Sequence, residues 1–91
     1  MIKTFADKDT ETVYKDQRTR RFPGPLHRAA RRKLLMLDAA SAPEDLRTPP
    51  GNHFEVLHGR TGTDSIRVNE QWRITFSWDA GAQNVKIEDY H

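Results

Sequence analysis

The hydrophobic pattern divides the chain into a helical first half and a second half of strands. After Pro25, apolar residues recur at helical spacing, so a helix is predicted to start at or after this proline, which suits a first turn. From residue 53 the period changes to two, which is typical of strands with one buried side. The helical stripe contains Leu26, Ala30, Leu34 and Leu37, and the clearest strand buries Trp72, Ile74, Phe76 and Trp78.

Shorter segments complete an α+β prediction. A strand-like segment around Ile2 and Phe5 opens the chain, and the polar residues 7–17 suit a short surface helix. A turn at residues 44–47 and a break at residues 49–51 precede the strands, which are predicted from residue 53, at 65–69, at 72–78 and from 85. Helices followed by an antiparallel meander indicate two helices packed on a small twisted sheet, as one domain over residues 1–91.

Strand parity predicts a second, polar sheet face. If Trp72 and Ile74 face the helix, Arg73 between them faces outward. By the same parity Asp89 and His91 point inward unless the end of the strand bends. The side chains collected on the polar face are Arg67, Arg73, Lys86 and Tyr90.

Composition excludes several classes of protein. The 91 residues are 35% hydrophobic and 31% charged and include no cysteine, which excludes disulfides and thiolate metal sites. No metal-ligand spacing is present, so neither a metal nor a cofactor is expected. The start carries no signal-peptide pattern and no stretch is apolar enough to span a membrane, so a cytoplasmic protein without membrane contact is predicted.

Basic residues are concentrated in the first half of the chain. Residues 1–50 carry eleven Lys/Arg against seven Asp/Glu, whereas residues 51–91 carry four against six. A basic half is a reason to consider a polyanion partner, although many surface helices carry excess charge. Contact with a polyanion and a solvated face are the two interpretations of the basic helix face, which contains Arg20, Arg21, Arg28, Arg31 and Arg32.

The segment Asp89-Tyr90-His91 carries three side chains that hold or move protons. Histidine titrates near neutral pH, which suits general acid–base catalysis. A general acid or base acts together with a cation that stabilises the charge developing in the transition state. His91 is therefore the candidate acid or base, Tyr90 a candidate contact and Arg73 the candidate cation, whose planar fork suits an oxyanion such as phosphate. A polar tail on an edge strand is the alternative.

Segments along nearly the whole chain resemble one group of bacterial toxins. They are MIKTF, TRRF, RKLLMLDAA, LRTPPGN, SIRVNEQWRITF and EDYH. The chain resembles the HigB-type toxins of toxin–antitoxin pairs, within the wider RelE/ParE group, and looks similar to their GraT-like members. The resemblance implies an endoribonuclease that cuts mRNA in the ribosomal A site, with Asp89, Tyr90, His91 and Arg73 functional. It also implies a helix-turn-helix antitoxin of HigA or GraA type, through which alone the chain would reach operator DNA.

One position departs from the pattern of the family. Some HigB toxins carry a site histidine on the first long strand, where this chain has Glu55. His53 or His58 would replace it, or neither would. Arg67 either contacts RNA or pairs with Glu88 across the strands. The full set of candidate RNA contacts outside the basic helix face is His53, His58, Arg60, Arg67 and Lys86.

Three functions compete for this sequence. A ribosome-dependent endonuclease without a metal uses the terminal Asp-Tyr-His. ParE relatives share the fold and block gyrase but generally lack an acid–base cluster on the last strand, so the terminal motif favours the nuclease. A decayed toxin that only binds its antitoxin is the third, and Glu55 in place of histidine is the reason to consider it.

Removal of Tyr90 and His91 is expected to abolish toxicity and to leave folding and antitoxin binding intact. The core-facing Val85 and Ile87 of the last strand remain in the truncated chain. Growth after induction, circular dichroism and co-purification with the antitoxin measure the three properties. Equal toxicity of the full and truncated chains would refute the assignment of the site to the terminal residues.

Overall fold

Two helices pack on one side of a four-stranded antiparallel sheet. The structure is a computed structural model that describes residues 1–89. Helix α1 spans Lys8–Tyr14 and helix α2 spans Gly24–Ala39, and the sheet order is β1-β2-β3-β4. The strands are β1 (Glu55–Val56), β2 (Asp64–Arg67), β3 (Trp72–Trp78) and β4 (Ala82–Asp89), and two 3-10 turns, Pro43–Arg47 and Pro50–Asn52, connect α2 to β1. The predicted α+β fold is confirmed.

Both helices begin where the local chemistry favours it. The Asp7 side chain accepts a hydrogen bond from the backbone N–H of Thr10 at 2.7 Å, which caps α1. Helix α2 starts at Gly24, one residue before the predicted position, with Pro25 in its first turn. All members of its apolar stripe are buried, which confirms the predicted face: Leu26, Ala30, Leu34 and Leu37.

The sheet contributes the other half of the core. Ile74, Phe76 and Ile87 are at most 1% exposed and pack under α2. The two tryptophans predicted to lie in the core are only half-buried. Trp72 packs edge-on against Phe22 with ring centroids 5.5 Å apart, at the border of the core. Large indole rings are placed at the ends of β3, where the helix no longer covers the sheet.

Strand β4 begins earlier than predicted because the N-terminal segment covers its edge. Ile2 bridges to Ala82 and Phe5 to Val85 in parallel orientation, so the strand-like start of the chain finds its partner there. Gly81 has φ of +142°, and a Cβ at this position would lie 2.7 Å from the Met1 carbonyl oxygen. A glycine is required for this close approach.

Strand β1 is shorter than predicted. His53 takes a left-handed conformation with φ of 43°, so regular extended structure starts only after it. After Val56, the Leu57 N–H donates to the Thr63 carbonyl at 2.8 Å and the chain enters the hairpin loop. Val56 is 55% exposed, so this short strand contributes little to the core. The two-residue strand leaves a short sheet edge, and short edges limit unwanted strand pairing.

None of the helices formed by residues 1–89 is long and apolar enough to cross a membrane.

Leu34→Ala is expected to lower the free energy of unfolding by about 2–5 kcal/mol, because Leu34 is fully buried between α2 and the sheet. Leu35→Ala is the matched control, since Leu35 is the same residue type one position later and is 42% exposed. The control should change stability by less than about 1 kcal/mol. Denaturant titration of both variants measures the difference, and equal losses would contradict the assigned helix face.

Candidate functional site

A buried guanidinium lies at the centre of the polar sheet face. Arg73 on β3 is 5% exposed, although its side chain points away from the helices. Its Nε donates to Ser65 Oγ at 2.9 Å, and its Nη2 donates to the backbone carbonyl of His53. A guanidinium stays charged in proteins, and charge–dipole interactions are stronger in a buried site than in water. The residue therefore supplies a fixed positive charge beneath this face.

Arg73 lies on the outward face that strand parity predicts, and it is buried there rather than exposed. Parity counts positions along one strand, and it correctly separates Arg73 from the core-facing Ile74. It does not show what lies above the polar face. The segment that follows the second 3-10 turn covers Arg73, with the His53 carbonyl as its acceptor. Arg67 and Lys86, predicted on the same face, are half-buried.

Asn52 fixes the position of the covering segment. Its side chain is fully buried and donates to the Leu46 carbonyl at 3.1 Å, and its Oδ1 accepts a hydrogen bond from Lys33 Nζ. Burial and the neighbouring Arg32 lower the pKa of Lys33. Because Asn52 ties helix α2 to the chain directly before His53, the carbonyl that receives Arg73 is held in place. Nothing in the local pattern of the sequence identified Asn52 as this anchor.

A second charged contact crosses the polar face. Glu88 on β4 accepts two hydrogen bonds from Arg60, at 2.9 Å to Nη1 and 3.3 Å to Nη2. The Thr75 hydroxyl also donates to Glu88. Burial alone would raise the pKa of Glu88, but the hydrogen bonds from Arg60 and Thr75 and the charges of Arg60 and Lys86 outweigh it and lower the pKa. The carboxylate is therefore ionised at neutral pH.

This contact replaces the cross-strand pair considered from the sequence. Arg67 was the alternative partner for Glu88, but its Nε donates to the Asn69 carbonyl at 3.1 Å. Arg67 and Glu88 are instead the two register neighbours of Arg73, one on each side. The missed partner, Arg60, is 28 residues from Glu88 along the chain and comes from the hairpin loop. No spacing rule connects residues that meet only because a loop folds across a sheet.

The histidines lie at different places. His53 and His58 are both exposed, and His53 is the nearer to Arg73 through its backbone carbonyl. His58 lies in the turn after β1, and Glu55 is exposed on β1 itself. That His53 or His58 replaces the site histidine that some HigB toxins carry at the position of Glu55 stays a prediction.

The basic helix face lies on the opposite side of the molecule from Arg73. Helix α2 presents its apolar stripe to the sheet, so Arg28 and Arg32 are exposed on its outer surface. Arg31 is half-buried and donates to the Tyr14 carbonyl at 3.2 Å, while Arg21 lies 3.7 Å from Asp9. Arg28, Arg31 and Arg32 line a groove between α2 and the preceding loop. One RNA phosphate cannot contact both this groove and Arg73.

Asp89 is the last residue of β4 and pairs in register with Trp72. Its Oδ2 accepts a hydrogen bond from Gln71 Nε2 at 3.1 Å. The register with Trp72 places Asp89 on the helix side of the sheet, as strand parity predicts, and at the end of the strand the residue is exposed. Tyr90 and His91, the other members of the terminal acid–base motif, lie outside the described residues. Within residues 1–89, no cluster of three or more His, Cys, Asp or Glu side chains is arranged as metal ligands.

Comparison with known proteins identifies the family. The family model of the HigB-like toxin, the RelE-like toxin of the type II toxin–antitoxin system HigB, matches residues 3–91. This chain belongs to the HigB-like toxin family. Toxin HigB-1 of Vibrio cholerae serotype O1 is 46% identical over 93 residues, which cover 99% of this chain and 98% of that toxin. A Haemophilus influenzae protein without an assigned function is 36% identical over 72 residues, which cover 78% of this chain and 71% of that protein.

The family assignment confirms the resemblance drawn from the sequence motifs. As a member of a type II toxin–antitoxin family, this HigB-like toxin has an antitoxin as its partner. The polar sheet face also contains three residues that are not among the predicted site residues and that bond to one another or to Arg73, namely Ser65, Thr75 and Glu88. All three occupy outward positions near Arg73, so strand parity was the signal that could have found them.

Proposed function

We propose that this HigB-like toxin is a ribosome-dependent endoribonuclease that cleaves mRNA in the A site by acid–base catalysis. Its family membership over residues 3–91 is the observation that carries the proposal. His91 acts as acid or base, and Asp89 and Tyr90 orient it and the phosphate. The nucleophile is the ribose 2′-hydroxyl, so RNA is cut and DNA is not.

The polar sheet face supplies the electrostatic part of the proposed mechanism. Charge grows on the phosphate oxygens in the transition state, and preorganised cations lower the energy of that state. Arg73 is held by Ser65 and by the His53 carbonyl, so it pays no reorganisation cost during the reaction. Because it is buried, Arg73 stabilises charge above it and also fixes the segment that carries His53. Arg67 and Lys86 flank the same face and contact the RNA backbone.

Ribosome dependence follows from the small size of the site. A polar face on four strands buries too little RNA to align the 2′-hydroxyl with the scissile bond unaided. A ribosome holds the message in a bent form, and orientation of this kind is worth up to about 7–11 kcal/mol. The basic helix face, with Arg28 and Arg32 exposed, faces away from Arg73 and docks on ribosomal RNA.

The antitoxin of the pair is proposed to be a helix-turn-helix protein of HigA or GraA type. It links the toxin to operator DNA, whereas the toxin itself contacts RNA. The toxin acts in the cytoplasm, where ribosomes and messages are present.

Cleavage of one message with and without programmed ribosomes tests the proposal. The ribosome-bound message is expected to be cut orders of magnitude faster than the free message, because only the ribosome supplies the in-line geometry. Primer extension maps the cleavage sites. Rapid cleavage of the free message at the same sites would show that the ribosome is not needed. Growth arrest with intact mRNA and inhibited gyrase would instead support the ParE-type function.

Arg73→Ala is expected to lower the single-turnover cleavage rate by about 10²–10³-fold, the loss typical of one preorganised donor. Arg28→Ala is the matched control, since Arg28 is an exposed arginine on the opposite side and contributes diffuse attraction to RNA. Thermal unfolding of both variants separates loss of activity from loss of structure, and Arg73→Lys adds a variant that keeps the charge without the planar fork. Comparable rate losses in the two alanine variants would contradict the role of Arg73.

A further inference from the structure

A groove crosses the polar sheet face between the hairpin loop and β4. Its walls include Arg60 and Thr63 from the loop and Lys86 and Glu88 from β4, and Thr75 of β3 lies at its floor. The loop is held by its own backbone, since Arg60 N–H donates to the Leu57 carbonyl and Thr63 N–H to the Arg60 carbonyl. The Arg60–Glu88 contact, called here the clamp, joins the loop to β4.

An acidic side chain is unexpected in a groove for RNA. A carboxylate repels phosphates, and Glu88 is also half-buried, which penalises its charged form. A gain in folding stability does not explain why Glu88 is present. Ion pairs with an exposed partner contribute little to the free energy of unfolding, and the Arg60 side chain is 51% exposed. Two nitrogens of Arg60 donate to the two different carboxylate oxygens of Glu88, the bidentate arrangement with which a carboxylate fixes a guanidinium.

We propose that Glu88 is a positioning residue that holds the Arg60 guanidinium over the groove as a phosphate-binding group beside Arg73. Two donors of Arg60 contact Glu88, and a guanidinium has five, so the clamp leaves capacity for a phosphate oxygen on its exposed side. Glu88 is itself the register neighbour of Arg73, so the clamp places the two guanidinium groups on one face. The inference rests on the proposed action on RNA and adds a residue to its binding site.

The direction in which Glu88→Gln changes RNA affinity separates a positioning role from a general electrostatic one. Removal of one negative charge from the groove should strengthen RNA binding if Glu88 only contributes charge. If Glu88 positions Arg60, the same variant should bind single-stranded RNA about tenfold or more weakly, as expected for loss of one charge-assisted contact. KM on programmed ribosomes should rise while kcat changes little. Glu11→Gln is the matched control, because Glu11 is a partly exposed acid on α1, paired with Lys15 at 3.6 Å.

A charge swap distinguishes positioning from loop closure. The double variant Arg60→Glu with Glu88→Arg restores an ion pair between loop and strand but reverses its direction. Thermal unfolding should stay close to that of the unchanged protein, because the pair contributes little to stability, whereas affinity for a fluorescent single-stranded RNA should stay low. Arg60→Lys, which keeps the charge and loses the fork, should also bind weakly.

The outcomes separate this inference from the proposed nuclease activity. Tighter or unchanged binding by Glu88→Gln, or full recovery of binding in the swap, would overturn the positioning role while cleavage by the unchanged protein still stands. Weaker binding by Glu88→Gln, in a protein that cuts no message on ribosomes, would support the clamp and refute the nuclease. Absence of both binding and cleavage in the unchanged protein would overturn both.

Discussion

The burial of one guanidinium constrains the whole polar side of this toxin. Arg73 lies on β3 and is 5% exposed, so its guanidinium N–H groups need hydrogen-bond acceptors within the protein. Ser65 supplies a hydroxyl from the neighbouring strand, and His53 supplies a carbonyl from the chain before β1. To present that carbonyl, the chain remains next to the sheet and β1 is limited to two residues.

The same constraint connects the two sides of the molecule. Asn52 receives a hydrogen bond from Lys33 of α2 and donates to the Leu46 carbonyl. The segment over Arg73 is therefore anchored to the helix layer that packs on the other side of the sheet. Asn52 thus links α2 to the segment that carries the His53 carbonyl.

Charge is distributed between the two sides in a way that suits separate contacts. The outer surface of α2 carries exposed arginines, whereas the polar sheet face mixes cations with Glu88. Diffuse positive charge attracts a polyanion over long range and is weakened by salt. Paired and buried charge, as at Arg73 and the clamp, fixes geometry at short range. Under the proposed function, docking and orientation of RNA use different surfaces of one small protein.

The sequence by itself determined the order of elements and the side of each strand. Leu26, Ala30, Leu34 and Leu37 are buried as their spacing predicts, because a helix buries one stripe whatever it packs against. The alternation in β3 likewise separates Arg73 from Ile74. Family motifs spread over the chain identified the toxin, since they depend on residue order alone.

Only the tertiary structure decided what covers each face. Parity could not show that Arg73 is buried, because the His53 carbonyl reaches it from 20 residues away. The pairing of Glu88 with Arg60 instead of Arg67 depends on a loop that folds back across two strands. Periodicity describes the neighbours of a residue along its own element, whereas burial and ion pairing depend on which distant segment closes over it.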